Sequence, residues 1–263
     1  MTMMKVAVRN LFDAYDYDVE FPNDGHGLSV LFAMNGRGKT TIMKMIVAAL
    51  GEDSDYLSSV PFDFFSVEYD SGFRVDVENG EDGVEFSYYG VSEKPPVPLY
   101  MDCCEPVSAS EIEELVSVAK KNASEERIDV FNDALRSFFC GWGDKKASFD
   151  SEDGLVVSFN GTRPPFELLS SGERKTLKML LLATFFVPDD GIFLLDSPES
   201  SLHVLLQGAI IPTLAGNFID DGVLGGAYLI VASHSPDVAG CYLKHTVSLR
   251  LESEEEDEDA SRF

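Results

Sequence analysis

The chain has 263 residues with 46 acidic and 20 basic side chains, a formal net charge of −26. A surface this negative repels phosphate backbones, so direct nucleic-acid binding is not expected. The apolar stretch at residues 177–187 is too short to cross a bilayer, which argues against a membrane protein. Four cysteines without a metal-binding spacing, and no signal peptide, predict a cytoplasmic protein with reduced thiols.

The first informative segment in chain order is residues 33–40, which read Ala-Met-Asn-Gly-Arg-Gly-Lys-Thr. It lies between an apolar run, Leu28–Phe32, which predicts a buried strand, and residues 41–50, whose pattern predicts a helix. A loop that wraps a triphosphate must aim backbone N–H groups at phosphate oxygens, and glycines allow that path. The expected first glycine is Ala33, the smallest possible departure.

This segment therefore predicts a site for ATP and Mg²⁺ at a helix N-terminus, where the helix dipole favours an anion. Lys39 would place a charge near the β- and γ-phosphates, and Thr40 would offer its hydroxyl to the metal. The predicted nucleotide-binding residues of this loop are Asn35, Gly36, Arg37, Gly38, Lys39, Thr40 and Thr41.

The middle of the chain predicts a small sheet followed by helices. Three stretches alternate between apolar and polar residues and predict an antiparallel sheet: 62–69, 73–77 and 84–89. Residues 110–113, Ser-Glu-Ile-Glu, resemble a capping box that opens a helix, and Glu125–Phe139 predicts a second helix. We expect these helices to belong to a helical lobe spanning roughly residues 105–185.

A second candidate metal ligand ends the apolar strand predicted at Ile192–Asp196. A carboxylate at the carboxyl end of a strand lies at the sheet edge near the phosphate loop, where it can hold magnesium directly or through water. Asp196 is therefore the predicted partner of Thr40 in the metal site.

Three further motifs carry a resemblance to a known family. Residues 169–173, Leu-Ser-Ser-Gly-Glu, resemble the signature of ABC-type ATPases in the form found in the SMC-like and OLD-like branch. Residues 196–203, Asp-Ser-Pro-Glu-Ser-Ser-Leu-His, resemble that branch's Asp-Glu-Pro-Glu-x-x-Leu-His, and residues 233–236, Ser-His-Ser-Pro, resemble its switch-histidine segment. The resemblance extends over roughly residues 4–250.

The resemblance implies an α/β fold: an ABC-type ATPase head with a mixed sheet core, an antiparallel β subdomain and a helical lobe. It implies one head over residues 1–250, followed by an acidic tail at 251–263 that we expect to be disordered. The interval between the motifs is too short for the coiled-coil arms of chromosome-organising relatives.

The resemblance also assigns roles to individual residues. Ser170, Ser171 and Gly172 would approach nucleotide bound to the opposite subunit, which is why such heads work as dimers. His234 would contact the γ-phosphate in its own subunit. An aromatic side chain near the first strand would lie against adenine, and the sequence leaves Phe12, Tyr15 and Tyr17 open for that role, with ordinary packing as the alternative.

Two departures from the family bear on catalysis. The residue after the strand-ending aspartate is usually the glutamate that activates water, and here it is Ser197, which can orient water but cannot serve as an effective base. Glu199 is the alternative base. The chain's single glutamine, Gln207, lies after Asp196, so the family's glutamine loop is absent. Slow hydrolysis is therefore expected.

These observations predict an ATP-binding subunit that hydrolyses ATP slowly, dimerises around nucleotide and controls a partner effector. The compact build most resembles ATPase subunits that accompany toxic effectors in bacterial anti-phage systems, a role that rests on analogy with the family. A DNA-repair or chromosome-associated ATPase is the first alternative, and it would need a basic surface. A transporter's nucleotide-binding subunit is the second, and it would need a membrane partner.

Overall fold

The structure is a computed structural model, and it describes residues 4–21, 27–90, 93–139, 145–200, 202, 204–215 and 227–249. The expected acidic tail at 251–263 and the histidine of the Leu-His pair, His203, lie outside the described residues. The predicted division into a head and a tail stays a prediction.

Six of the twelve strands in the described residues lie in the first ninety positions, and the other six are spread over the rest of the described chain. They are β1 (Met4–Leu11), β2 (Tyr15–Phe21), β3 (Leu28–Phe32), β4 (Phe64–Tyr69), β5 (Arg74–Gly80), β6 (Gly83–Tyr89), β7 (Leu99–Asp102), β8 (Lys145–Asp150), β9 (Gly154–Phe159), β10 (Ile192–Asp196), β11 (Tyr228–Ser233) and β12 (Thr246–Ser248).

Helices follow the phosphate loop and fill the middle of the chain. They are α1 (Lys39–Gly51), α2 (Ser54–Ser58), α3 (Ala109–Asn122), α4 (Glu125–Phe139), α5 (Ser171–Leu181), α6 (Val204–Ala215) and α7 (Pro236–Ala239). A π-helical turn, Leu182–Phe186, continues α5. Each described helix is too short or too polar to span a bilayer.

The antiparallel sheet is larger than its sequence pattern predicted. Its strand order is β2-β1-β4-β5-β6, so the three predicted strands join the two that open the chain. The alternation of apolar and polar residues explains which face of this sheet is buried. Tyr17, Val19 and Phe21 on β2 are buried, and the polar residues between them are exposed. This face packs against α1.

The second five-stranded sheet is parallel throughout, in the order β12-β3-β11-β10-β7. Every residue of β10 and β11 is buried, as expected for strands covered on both faces. The resemblance implied a mixed sheet core, and in the described residues the parallel pairs form one sheet while the antiparallel pairs form two others, one of them the hairpin β8–β9. Because parallel strands end at one edge, β3, β10 and β11 deliver their following residues to the same place.

Two apolar cores lie on opposite faces of the parallel sheet. Ile192 and Leu194 of β10 pack with α1 and the antiparallel sheet, whereas Phe193 and Leu195 pack with the helices of the middle segment. The period-2 alternation of a strand produces this division. Asp196 continues the series of Ile192 and Leu194, so it is on the α1 face.

The helical segment differs from its prediction in two details. The box at Ser110 and Glu113 was wrong by two residues, because Ser108 has the extended backbone of an N-cap and its side chain accepts the Glu111 N–H. The second predicted helix is confirmed as α4. The hairpin β8–β9 was not predicted. Asn132 of α4 anchors it through two hydrogen bonds with the backbone of Phe149.

Candidate ATP and magnesium site

The loop between β3 and α1 has the backbone that its glycines predicted. Gly36 and Gly38 have φ angles of 83° and 85°, in the left-handed region that L side chains rarely adopt. A Cβ atom on Gly38 would lie 2.9 Å from Leu11 Cδ2, whereas one on Gly36 would meet open space. Gly38 is therefore required by both conformation and close packing, and Gly36 by conformation alone.

Lys39, the first residue of α1, turns back over this loop. Its Nζ donates to the carbonyl of Ala33 at 2.6 Å and to that of Met34 at 3.1 Å. Burial lowers the pKa of Lys39 from its usual value, and the carboxylates of Asp196 and Glu199 offset only part of that effect. Both carboxylates therefore act electrostatically on Lys39.

A cavity of about 240 Å³ lies against the loop, and its lining combines most of the predicted loop residues with two others. The lining residues are Phe12, Asn35, Gly36, Gly38, Lys39, Thr40, Thr41 and Ser197. Of the three aromatic candidates, Phe12 is thus the one in the cavity wall, with 42% of its surface exposed. Tyr17 is buried and stacks on Tyr15.

Arg37 is the loop residue outside this lining. Its guanidinium lies 5.9 Å from the ring centroid of Tyr15, a cation–π geometry. Because Tyr15 opens β2, this contact ties the phosphate loop to the antiparallel sheet.

Asp196 ends β10 beneath the loop and is almost fully buried. Its Oδ1 accepts the Ser197 hydroxyl at 3.1 Å, and its Oδ2 accepts the Tyr100 hydroxyl at 3.2 Å. Burial and the negative charges of Asp196 and Asp102 raise the pKa of Tyr100, so this hydroxyl remains a donor at neutral pH. Both oxygens of the predicted metal ligand are thereby oriented.

Ser197 has a φ of 51°, a conformation uncommon for a residue with a side chain. Its N–H donates to the carbonyl of Ala232 at 2.8 Å, which links the end of β10 to β11. The strained turn carries the chain towards Glu199, which is 6% exposed.

Glu199 and His234 form the next contact along this sheet edge. Glu199 Oε1 lies 3.1 Å from His234 Nδ1 and accepts the His234 backbone N–H at 3.3 Å. Glu199 Oε2 is buried, and it has no hydrogen-bond partner among the described residues. A buried carboxylate oxygen in this state marks a place for a water molecule or a cation.

The signature segment begins α5, and its residues are not among those that line the cavity. Ser170 is the N-cap, and it exchanges hydrogen bonds with Glu173 in a capping box. Glu173 is buried and accepts an ion-paired hydrogen bond from Lys145 of β8. Ser170 and Ser171 are exposed and Gly172 is buried, so the segment presents its serines outward.

Arg174 fixes the loop that precedes the signature helix. It donates to the carbonyl of Leu169 at 2.5 Å and to that of Val107 at 2.7 Å. Val107 lies in the connection from β7 to α3, so the signature loop and the exit from the parallel sheet are held together.

Comparison with known proteins gives the family. Residues 107–239, just over half of the chain, match the family described as "AAA domain, putative AbiEii toxin, Type IV TA system". The chain belongs to this family. No curated protein matches the sequence.

Solved structures share the fold of this AAA-domain chain. The SMC head domain from Thermotoga maritima has a TM-score of 0.56 at 17% identity, over 91% of this chain and 92% of that one. An SMC head bound to the C-winged helix domain of ScpA has a TM-score of 0.59 at 13% identity, over 90% and 91%. At these identities the likeness concerns the fold. The predicted fold of an ABC-type, SMC-like head is confirmed.

The site of this AAA-domain chain fits magnesium and a triphosphate. The Thr40 hydroxyl and the Asp196 carboxylate are oxygen donors of the kind that Mg²⁺ prefers. The loop glycines leave the backbone open to phosphate oxygens, and Lys39 supplies a positive charge. The buried, unpartnered oxygen of Glu199 belongs to the same charged group.

Sequence reasoning missed Tyr100 and Asp102. They occupy alternate positions at the end of β7, beside β10 in the parallel sheet. A signal was present, since Leu-Tyr-Met-Asp is a short strand that ends in a carboxylate just as Ile192–Asp196 does. Nothing in the sequence shows that the two strands are neighbours.

Proposed function

We propose that this AAA-domain chain binds ATP with Mg²⁺, hydrolyses it slowly and works as a dimer that closes around two nucleotides. The observation that carries the proposal is the meeting of Lys39, Asp196 and Glu199 at one sheet edge under a loop with two left-handed glycines. That combination supplies phosphate donors, a metal ligand and a buried carboxylate.

The chain's residues divide the binding between them. Backbone N–H groups of residues 35–41 hold the phosphates, and Lys39 leaves its carbonyl partners to meet the β- and γ-phosphates. Thr40 and Asp196 hold Mg²⁺, which neutralises phosphate charge when bound. Phe12, exposed in the cavity wall, offers a flat apolar face to the adenine ring of ATP.

Hydrolysis falls to Glu199 as the base that accepts the proton of the attacking water. Its Oε2 is free of hydrogen bonds within the described residues, while its Oε1 is held by His234. Ser197 donates to Asp196, so it positions the metal ligand and leaves the proton to Glu199. The base lies two residues beyond its usual place in the family, and this supports a slow rate.

Dimerisation follows from the outward presentation of the signature. Ser170, Ser171 and Gly172 are expected to meet the γ-phosphate of nucleotide held by the other subunit. These residues do not line the cavity of their own chain, which supports that arrangement.

A partner effector completes the proposal. The family description names a putative toxin and a type IV toxin–antitoxin system, which supports control of a toxic effector and a place in bacterial anti-phage defence. One SMC head that shares this fold is bound to the C-winged helix domain of ScpA, which supports a partner protein for this chain as well. The proposal places the protein in the cytoplasm, where ATP and magnesium are available.

The dimer closed around two nucleotides is tested by Ser170→Arg. The bulky side chain crowds the γ-phosphate in trans, so ATP-dependent association should disappear from light scattering while ATP binding to each head persists. Ser87→Arg, on an exposed position of β6, is the matched control and should associate like the wild type. Equal ATP-dependent association of the wild type, Ser170→Arg and Ser87→Arg would contradict a dimer closed around nucleotide.

The effector role has a separate test. The protein and the products of its neighbouring genes are produced together, with either wild-type chain or Lys39→Ala. Effector activity that changes with the Lys39 variant supports nucleotide-dependent control, and effector activity independent of it contradicts this part of the proposal.

A further inference from the structure

The end of β7 brings a second carboxylate beside the predicted metal ligand. Asp102 and Asp196 are register partners on neighbouring parallel strands. Such strands lie about 4.8 Å apart, and side chains in register point to the same face. Tyr100, two residues before Asp102, reaches Asp196 Oδ2 with its hydroxyl, so this face of β7 is the one that borders Asp196.

One carboxylate oxygen of Asp102 accepts a hydrogen bond, and the other has only a longer contact with a lysine. Its Oδ1 accepts the Cys104 N–H at 2.8 Å, which fixes the side chain. Its Oδ2 lies 3.6 Å from Lys44 Nζ, beyond normal hydrogen-bond distance. Lys44 also lies 5.7 Å from the ring centroid of Tyr100, so the cation is shared between the ring and the carboxylate.

A second observation indicates that this sheet edge takes a ligand. The buried Oε2 of Glu199 has no hydrogen-bond partner in the described part of the chain. Glu199 and Asp196 both act on Lys39, so the unpartnered oxygen belongs to the charged group that Asp102 adjoins. Three carboxylates, those of Asp102, Asp196 and Glu199, belong to this group, and carboxylate oxygens are ligands that a divalent cation prefers.

We propose that Asp102 is a second carboxylate of the magnesium site, which contacts the metal directly or through a metal-bound water molecule. The inference rests on the proposed binding of ATP with Mg²⁺. Magnesium in nucleotide sites is commonly bound through one or two protein carboxylates, substrate phosphates and water. Asp196 is the first carboxylate, and Asp102 is the second.

Asp102 also lies where it can take over the role of the missing glutamine loop, which is to link the metal to the helical segment. Gln207 is engaged elsewhere, since it donates to the Leu202 carbonyl and accepts the Ser235 hydroxyl. Asp102, by contrast, is the last residue of β7 before the chain enters the helical segment. Cys103 N–H donates to the Asp196 carbonyl at 2.9 Å, which ties this exit to the metal ligand. Asp102 thereby couples bound metal to the helices that carry the signature.

The test compares Asp102→Asn with Lys44→Met. Asparagine retains the oxygen that accepts the Cys104 N–H but loses the charge, and methionine removes the competing cation. The readout is the affinity for a fluorescent ATP analogue, measured against free Mg²⁺ concentration and again in excess chelator. Asp55→Asn, at an exposed position of α2, is the control.

The two variants should move the Mg²⁺ titration in opposite directions. Asp102→Asn should raise the half-saturating Mg²⁺ concentration by roughly tenfold, and affinity in chelator should stay at the wild-type level. Lys44→Met should lower the half-saturating concentration. An ion pair that served only the fold would make both variants less stable and shift both titrations the same way, which would overturn the proposal.

The remaining outcomes separate this inference from the proposed function. If the wild type shows Mg²⁺-dependent nucleotide binding and Asp102→Asn has the same titration, the role of Asp102 is wrong and the ATP site stands. If the wild type shows no Mg²⁺-dependent nucleotide binding at all, both proposals fall together.

Discussion

Glu199 and His234 hold each other across the carboxyl ends of two neighbouring strands, with Oε1 3.1 Å from Nδ1 and 3.3 Å from the histidine's backbone nitrogen. The contact orients one carboxylate oxygen and leaves the other, Oε2, without a hydrogen-bond partner in the described structure. A carboxylate with one oriented and one available oxygen is suited to accept a proton from water.

The hydrolysis prediction follows from this contact. Glu199→Gln keeps the shape and the hydrogen bond to His234 but removes the base, so turnover should fall by about 10²–10⁴-fold while ATP binding persists. A coupled phosphate-release assay and calorimetry measure the two quantities. Ser197→Ala is the matched comparison, and it should reduce turnover by less than Glu199→Gln because the serine only orients Asp196. Similar losses in both variants would remove Glu199 from the role of base.

The second prediction concerns the lysine of the loop. Lys39→Ala removes the charge facing the β- and γ-phosphates, so affinity for ATP with Mg²⁺ should fall by roughly tenfold or more, about 1.4 kcal/mol. Calorimetry measures it directly. Lys94→Ala removes an exposed lysine that pairs with Glu52, and binding should stay unchanged. Undiminished binding by Lys39→Ala would refute the phosphate-loop assignment.

The two loop glycines allow a paired prediction for folding. Gly36→Ala and Gly38→Ala each force a side chain into a left-handed backbone, at a cost of about 1–2 kcal/mol in the free energy of unfolding. Gly38→Ala should cost more, because its Cβ approaches Leu11 Cδ2 to 2.9 Å. Urea denaturation without nucleotide gives both values. A larger loss for Gly36→Ala would show that the loop packs differently.

The fourth prediction is a pH dependence that comes from the signature helix. Burial acts to raise the pKa of Glu173, but hydrogen bonds from Lys145 and Ser170 outweigh it, so the pKa lies below its usual 4.5. A carboxyl group with a lowered pKa stabilises the fold in full above pH 4.5, and that stabilisation is lost as the pH falls through the lower folded value.

Glu173→Gln should therefore lower the free energy of unfolding by about 2 kcal/mol at neutral pH, since it removes one partner of a buried ion pair. The difference between wild type and variant should hold from pH 7 to about 5 and shrink below pH 4.5. Urea denaturation across this range tests it, and effects of the acidic surface cancel in the difference. A difference that grew towards low pH would contradict the lowered pKa.

Local chemistry explains why much of this site was predictable. The strand Leu28–Phe32, the left-handed glycines and the lysine that starts α1 are neighbours in sequence, so their spacing alone indicates a phosphate loop. The helix Glu125–Phe139 was predicted with its observed bounds for the same reason, because its period depends on nearby residues.

Elements that depend on distant pairing were less accessible. The pattern Ser-x-x-Glu occurs twice here, beginning at Ser108 and at Ser110. The prediction chose Ser110, and only the backbone of the formed helix shows that Ser108 is the N-cap. The hairpin β8–β9 escaped prediction, since its stability comes from Asn132 of α4 and from the helices beneath it.

The sequence by itself determined the motifs, their order and the loop that cradles phosphate, because each depends on backbone freedom and side-chain chemistry within a few residues. Only the tertiary structure decided that Tyr100 and Asp102 border Asp196, and that Glu199 rather than Ser197 contacts His234. These pairs join residues separated by up to 96 positions in the chain. Strand order in the parallel sheet sets such contacts, and that order results from burying both faces of the sheet at once.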